Sequence, residues 1–166
     1  IRHARTGLVG KTLQPMDGQA TQLENKMNGL RLEDLSLGQS AETRHVVTDA
    51  DIRAFAEVSG DNNPVHLDEA YAAATPFKTR IAHGMLSAGY ISAVLGARLP
   101  GPGAIYISQT MNFKRPVRIG DEVTTRATVA AIDAERARVT LATVCEVAGK
   151  PVVEGEAVVM VPRREA

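Results

Sequence analysis

An aspartate and a histidine five positions apart form the first candidate for chemistry: Asp61 and His66, in the segment SGDNNPVH at 59–66. Gly60 and Pro64 favour a turn here, and a turn can direct both side chains to one point. A carboxylate and an imidazole that share one water molecule make an acid–base pair, and the usual imidazole pKa of about 6.5 suits proton exchange near neutral pH. The alternative is structural, with Asp61 capping a turn and His66 bonded to a backbone carbonyl.

Metal binding is another use of such a pair. No third strong ligand follows at a diagnostic spacing, and Asp68 and His83 are the remaining companions. The sequence therefore predicts no metal site.

Gly84 is the second candidate, because it follows His83 at the start of a long apolar segment. A helix N-terminus exposes N–H groups without partners and carries positive potential. Glycine also lets a ligand approach the backbone closely. The Gly84 N–H is therefore a candidate donor to an oxyanion that develops on a carbonyl oxygen. The alternative is that Gly84 only forms a turn and His83 is an ordinary helix cap.

Hydrophobic periodicity predicts the helices that position these residues. Thr48 and Asp51 resemble a capping box, which predicts a short amphipathic helix that ends near Gly60. Asp68 is a candidate cap for another short helix through position 74. Residues 85–99 are apolar nearly all round, which predicts a buried helix.

Alternation of apolar and polar residues predicts the strands. Short breaks join the last three of them, which indicates an antiparallel meander, since parallel strands need long crossovers. One buried helix with a mostly antiparallel sheet is an α+β arrangement with the layout of the hot-dog fold. The predicted strands are 41–47, 105–114, 123–132, 139–147 and 152–161.

Composition limits the classes of function. The 166 residues suit one domain, and 19 basic residues balance 19 acidic ones, so no overall field favours nucleic acid or an anionic membrane. Cys145 is the only cysteine, and no apolar run approaches the roughly 20 residues of a membrane span, which predicts a cytoplasmic protein. Residues 1–29 lack periodicity and are expected to be a cloning remnant or a flexible extension, with the domain at 30–166.

Taken together, these motifs resemble those of R-specific enoyl-CoA hydratases and other MaoC-like proteins. The likeness covers about residues 30–162, and its core is the segment 59–66. It continues through AHGML at 82–86, PGPG at 100–103, FKRPV at 113–117 and GDEV at 120–123. The resemblance implies a hot-dog fold and the syn addition of water to a 2-enoyl thioester, with an R-3-hydroxyacyl product.

Residue roles follow from the same resemblance. Asp61 and His66 correspond to the catalytic dyad, in which either member can be the base, and Gly84 corresponds to the oxyanion donor. Ser92 matches a serine that orients the active-site carboxylate, and its place in a helix expected to be buried requires a hydrogen-bond partner, which the carbonyl one turn earlier could also provide. Asn63 is a candidate for holding the loop, or a simple turn former.

Binding partners are implied in the same way. Lys114 and Arg115 are candidate contacts for the phosphates of CoA, although either could be a solvated strand end. The resemblance implies a homodimer with its long helices side by side and acyl-CoA at the subunit junction. No flavin or nicotinamide signature is present, so CoA is expected as the substrate carrier and no cofactor is predicted.

Three other functions compete with this hypothesis. A 3-hydroxyacyl-thioester dehydratase acting on acyl carrier protein would use the same site in reverse. A hot-dog thioesterase is more distant and would release free thiol from acyl-CoA. A non-catalytic acyl-CoA-binding module would bind without turnover, but such a module is expected to lose part of the set Asp61, His66, Gly84 and Ser92.

Overall fold

The computed structural model describes residues 29–164. Five strands form one antiparallel sheet: β1 (Ser40–Val46), β2 (Ile105–Phe113), β3 (Glu122–Asp133), β4 (Arg138–Val147) and β5 (Lys150–Met160). Each lies within two residues of its predicted bounds. The α+β layout of a sheet packed on one long helix is confirmed.

The strand order contains both pairings between consecutive strands and pairings between strands that are distant in the chain. The predicted meander is confirmed, because β3, β4 and β5 are consecutive neighbours in the order β1-β3-β4-β5-β2. Short turns join them, with Ala137, Ala148 and Gly149 at positive φ. β2 precedes this meander in the chain but pairs with β5 at one edge of the sheet, while β1 pairs with β3 at the other.

The long helix α4 (Gly84–Ala97) follows three short helices, α1 to α3, in the chain. It lies across the sheet and contacts mainly β3. One face is buried, through Ser87, Ile91, Val94 and Leu95. Every second residue of β3 from Val123 to Val129 points into the same core, as expected for a strand with one covered face.

The opposite face of α4 is exposed, so the prediction that this helix is buried all round is wrong for the single chain. Gly89, Ser92 and Ala93 are exposed there, and Met85 at the start of the helix is 53% exposed. The physical reason is geometric, because one sheet covers only one side of a helix.

Three short helices precede α4: α1 (Asp49–Ser59), α2 (Pro64–Leu67) and α3 (Glu69–Ala73). The predicted capping box of α1 is confirmed, since Asp51 N–H donates to Thr48 Oγ1 and Thr48 N–H donates to Asp51 Oδ2. Asp68 caps α3 by accepting from Tyr71 N–H at 3.0 Å. The sequence pattern predicted only a turn where α2 lies.

The expectation for residues 1–29 lies outside the described residues except at Gly29, which packs against Pro102. Across residues 29–164 no helix is both long and apolar enough to cross a membrane.

Candidate active site

The loop that carries Asp61 is held by its own polar groups. Gly60 ends α1 in the left-handed region at φ 77°, a conformation that glycine adopts without strain. Asp61 N–H donates to Ser59 Oγ at 3.2 Å, and Asn63 N–H donates to Asp61 Oδ1 at 3.2 Å. The Asp61 side chain is exposed, so its carboxylate is available to solvent and ligand.

Helix α2 positions His66. Asn63 caps this helix by accepting from Val65 N–H at 3.2 Å, and Pro64 occupies its first position, where a missing N–H costs nothing. The His66 ring is buried, with Nδ1 2.8 Å from the carbonyl oxygen of Ile81. A carbonyl only accepts, so Nδ1 carries the proton and Nε2 keeps its lone pair.

Burial lowers the pKa of His66, because the charged ring loses hydration. A positive charge on His83 also lowers the pKa of His66, whereas the hydrogen bond to Ile81 and the negative charge of Asp61 raise it. The net direction favours a neutral imidazole, which is the form that can accept a proton.

The structure brings Asp61 and His66 together with His83. A carboxylate oxygen of Asp61 and one ring nitrogen of each histidine all lie within 4.8 Å of one another. A water molecule that makes two hydrogen bonds of about 2.8 Å each can span this distance, so one water molecule can bridge the carboxylate and the imidazole.

His83 is the residue of this site that the sequence reasoning missed. It was considered only as a helix cap or a metal companion, yet its side chain makes no capping hydrogen bond to α4. Instead its ring stacks on that of His66, with centroids 3.8 Å apart and planes inclined by 31°. The available signal was a histidine directly before the Gly84 helix start.

Asp61, His66 and His83 are also the residues that could hold a metal ion. An imidazole binds metal through a lone pair in its own plane, and two stacked rings direct such lone pairs alongside each other rather than to one point. One nitrogen of each ring is also engaged with a backbone carbonyl. The arrangement therefore suits proton transfer better than metal binding.

Gly84 opens α4 beside a cavity of about 500 Å³ that His66 and His83 also line. Among the described residues, no group accepts a hydrogen bond from the Gly84 N–H, as expected for the first turn of a helix. A Cβ at this position would lie 2.6 Å from a ring carbon of Phe113. Only glycine fits between the cavity and that ring without displacement.

The remaining walls of the cavity are mostly apolar, with two cations from the segment after β2. The apolar lining includes Phe77, Ile81, Met85, Phe113, Val117 and Val153. Lys114 pairs with Glu154 at 2.8 Å, and Arg115 donates to the carbonyl of Pro151 at 2.6 Å. Both cations line the cavity and are exposed, so they remain accessible to an anionic ligand.

Ser92 is the predicted site residue that the structure does not bring to the others. It lies on the exposed face of α4, and within residues 29–164 it neither lines the cavity nor hydrogen bonds to Asp61. The expectation of a buried Ser92 hydroxyl is wrong for the single chain, because this face turns away from the sheet.

Known proteins share this fold. The family model described as a MaoC-like domain matches residues 35–151. The chain is 60% identical over 132 residues to an (R)-specific enoyl-CoA hydratase of Rhodospirillum rubrum, covering 80% of this chain and 92% of that protein. It is 54% identical over 136 residues to a 3-hydroxybutyryl-CoA dehydratase of Methylorubrum extorquens, covering 82% and 87%.

Solved structures agree with these relatives. An unliganded R-hydratase of Pseudomonas aeruginosa superposes with a TM-score of 0.78 at 48% identity, covering 82% of this chain and 88% of that one. An (R)-hydratase of Aeromonas caviae has a TM-score of 0.76 at 44% identity, covering 78% and 99%. With a family model over most of the domain and relatives of this similarity, the chain belongs to the MaoC-like domain family.

Proposed function

We propose that this protein is an R-specific enoyl-CoA hydratase, which adds water reversibly to a trans-2-enoyl-CoA and forms an R-3-hydroxyacyl-CoA. The observation that carries the proposal is the meeting of Asp61 and His66 within 4.8 Å, next to a cavity that begins at the unpaired Gly84 N–H. Relatives at 60% and 44% identity are named for this activity.

Gly84 activates the substrate. The thioester carbonyl accepts a hydrogen bond from the Gly84 N–H, at the positive end of α4. Electron density moves toward that oxygen as the reaction proceeds, which makes the β carbon of the conjugated alkene electrophilic. The mostly apolar wall of the cavity suits the acyl chain.

The dyad supplies the water and handles its proton. Asp61 and the neutral His66 ring hold one water molecule beside the β carbon. As its oxygen attacks, one proton passes from the water to the pair, and the pair returns a proton to the α carbon. Both transfers occur on the face of the alkene that Asp61 and His66 occupy, which makes the addition syn.

The other predicted residues have supporting roles in this proposal. Asn63 fixes α2, and through it the position of His66. Lys114 and Arg115 lie at the cavity and contact the phosphates of CoA. Neither has a fully desolvated partner, so each can exchange its present contact for a phosphate oxygen.

A homodimer completes the proposal. The exposed face of α4 carries Gly89, Ser92 and Ala93, whose small side chains permit close approach of a second helix. Edge strand β2 exposes Ile105 and Ile107, an apolar patch of the kind that marks an interface. Sedimentation equilibrium should give twice the mass of one chain, and a monomer at micromolar concentration would contradict this part.

Hydration of crotonyl-CoA, followed by loss of conjugated absorbance, tests the activity, and chiral analysis of the product tests the R configuration. Asp61→Asn and His66→Gln should each lower kcat by about 10²- to 10⁴-fold, because each removes a proton-transfer group. Asp68→Asn is the matched control, since this aspartate only caps α3. Near-wild-type hydration by both dyad variants would refute the assignment.

Dehydration of a 3-hydroxyacyl thioester is the second candidate, supported by the 54% identical relative named as a dehydratase. The same groups run this reaction in reverse, and the concentrations of the enoyl and 3-hydroxyacyl thioesters set the direction of net turnover. Parallel assays with CoA and acyl-carrier-protein thioesters distinguish the carriers. Binding of acyl-CoA without turnover of either thioester would favour the non-catalytic module.

A further inference from the structure

His83 occupies an unusual place for a residue at a helix start. It is the N-cap residue of α4, yet its side chain turns inward and is only 2% exposed. The ring lies between Phe55 of α1 and His66 of α2, with centroid distances of 4.9 and 3.8 Å. One side chain therefore packs against two other elements that surround the dyad.

The hydrogen bonds of His83 define its tautomer. Nε2 lies 3.0 Å from the backbone carbonyl oxygen of Asp61, so Nε2 carries the proton. Nδ1 is buried and has no partner among the described residues.

We propose that His83 is a positioning residue that fixes both members of the dyad. Its N–H holds the Asp61 backbone in place, and its ring face holds the plane of the His66 imidazole. Because His83 directly precedes Gly84, the same residue sets the distance between the oxyanion donor and the dyad. The inference rests on the proposed hydratase function, which does not itself assign His83.

The groups around His66 allow a second readout. Its ring faces Asp61 from the loop, His83 from the start of α4 and the Ile81 carbonyl. Arg80 contacts His66 at its backbone carbonyl and not at its ring. A proton on His83 opposes one on His66, so removing this histidine should raise the pKa of His66. A residue that served packing alone would leave that pKa unchanged when an apolar residue of similar volume replaces it, because the burial of the His66 ring is kept.

Two substitutions separate the hydrogen bond from the packing. His83→Gln keeps an N–H donor that can reach the Asp61 carbonyl, whereas His83→Leu keeps volume without a donor. In crotonyl-CoA hydration, the Leu variant should lose about 10²-fold in kcat with a nearly unchanged KM, because displacements near 1 Å have effects of this size. The Gln variant should stay within about tenfold of wild type. His45→Gln, at an exposed histidine bonded to Asp51, is the matched control.

Nitrogen NMR of the His66 ring gives a test that does not require turnover. We expect the Nδ1–H tautomer of His66 in wild type and in both variants, because the Ile81 carbonyl holds it, and a higher His66 pKa in both variants. The acid limb of kcat/KM should move to higher pH with it. If wild type fails to hydrate crotonyl-CoA, the proposed function fails while the NMR result still decides the role of His83.

Three results would overturn the inference. Wild-type kcat in His83→Leu would show that the dyad needs no such support. Equal losses in kcat for the Gln and Leu variants would show that the bond to Asp61 is not what matters. If the Leu variant does not fold, an unchanged His66 pKa in His83→Gln rejects the proposal.

Discussion

Replacing Gly84 with alanine tests the most closely packed point of the site. The new Cβ would lie 2.6, 2.9 and 3.3 Å from three ring carbons of Phe113, whereas ordinary contact begins at 3.4 Å. The ring or the start of α4 must therefore move by about 1 Å, and a misplacement of this size can cost on the order of 10²-fold in rate. Phe113 is 55% exposed, so its ring can take part of the displacement.

We expect Gly84→Ala to lower kcat/KM for crotonyl-CoA by about 10- to 100-fold, which corresponds to about 1.4 kcal/mol for each tenfold. Phe113→Ala removes the obstructing ring atoms, so adding it should return most of the loss. The steady-state assay is run on wild type, both single variants and the double variant. Gly96→Ala is the matched control, because a Cβ there meets no atom within 4 Å.

Two results would contradict this reasoning. Wild-type kcat/KM in Gly84→Ala would mean that the oxyanion donor tolerates a displaced helix start or that no displacement occurs. A double variant as slow as Gly84→Ala would mean that the contact with Phe113 is not the cause of the loss.

Three further predictions concern pH, binding and the core. Burial lowers the pKa of His66, so the unfolded chain gains a proton first, and the free energy of unfolding should fall as pH drops below about 6.5. The melting temperature should differ less between pH values above and below that point in His66→Gln than in wild type. An equal difference in the two proteins would contradict this prediction. Lys114→Ala should raise KM for acyl-CoA several-fold at unchanged kcat, with less effect at high salt; an unchanged KM at low salt would reject the phosphate contact. Leu95→Ala should lower the urea-derived unfolding free energy by about 2–5 kcal/mol, because this side chain is only 2% exposed; a loss below about 1 kcal/mol would contradict that.

Local patterns predicted most of the elements correctly. The capping box of Thr48 and Asp51 and the alternation along β3 depend on residues a few positions apart, so the sequence displays them directly. Helix α2 was missed because four residues are too few to show helical periodicity. The burial of α4 was overestimated because apolar composition indicates that a surface can be covered, without indicating what covers it.

The candidate site divides in the same way. Asp61 and His66 could be selected from one short segment of sequence, because they are five positions apart and Gly60 and Pro64 allow a turn that brings them together. His83 could not, since its bond to the Asp61 carbonyl crosses 22 positions and its stacking on His66 depends on where α4 begins relative to α2. The same dependence on tertiary packing decides that Phe113 closes on Gly84.

The amino-acid order by itself therefore determined the types of most elements, the meander and the family motif that contains Asp61 and His66, since each depends on short-range spacing. Only the tertiary structure decided the edge positions of β1 and β2, the exposed face carrying Ser92 and the stacking of His83 on His66. These features depend on contacts between distant segments, whose geometry is set by the packing of the whole core rather than by any one stretch of chain.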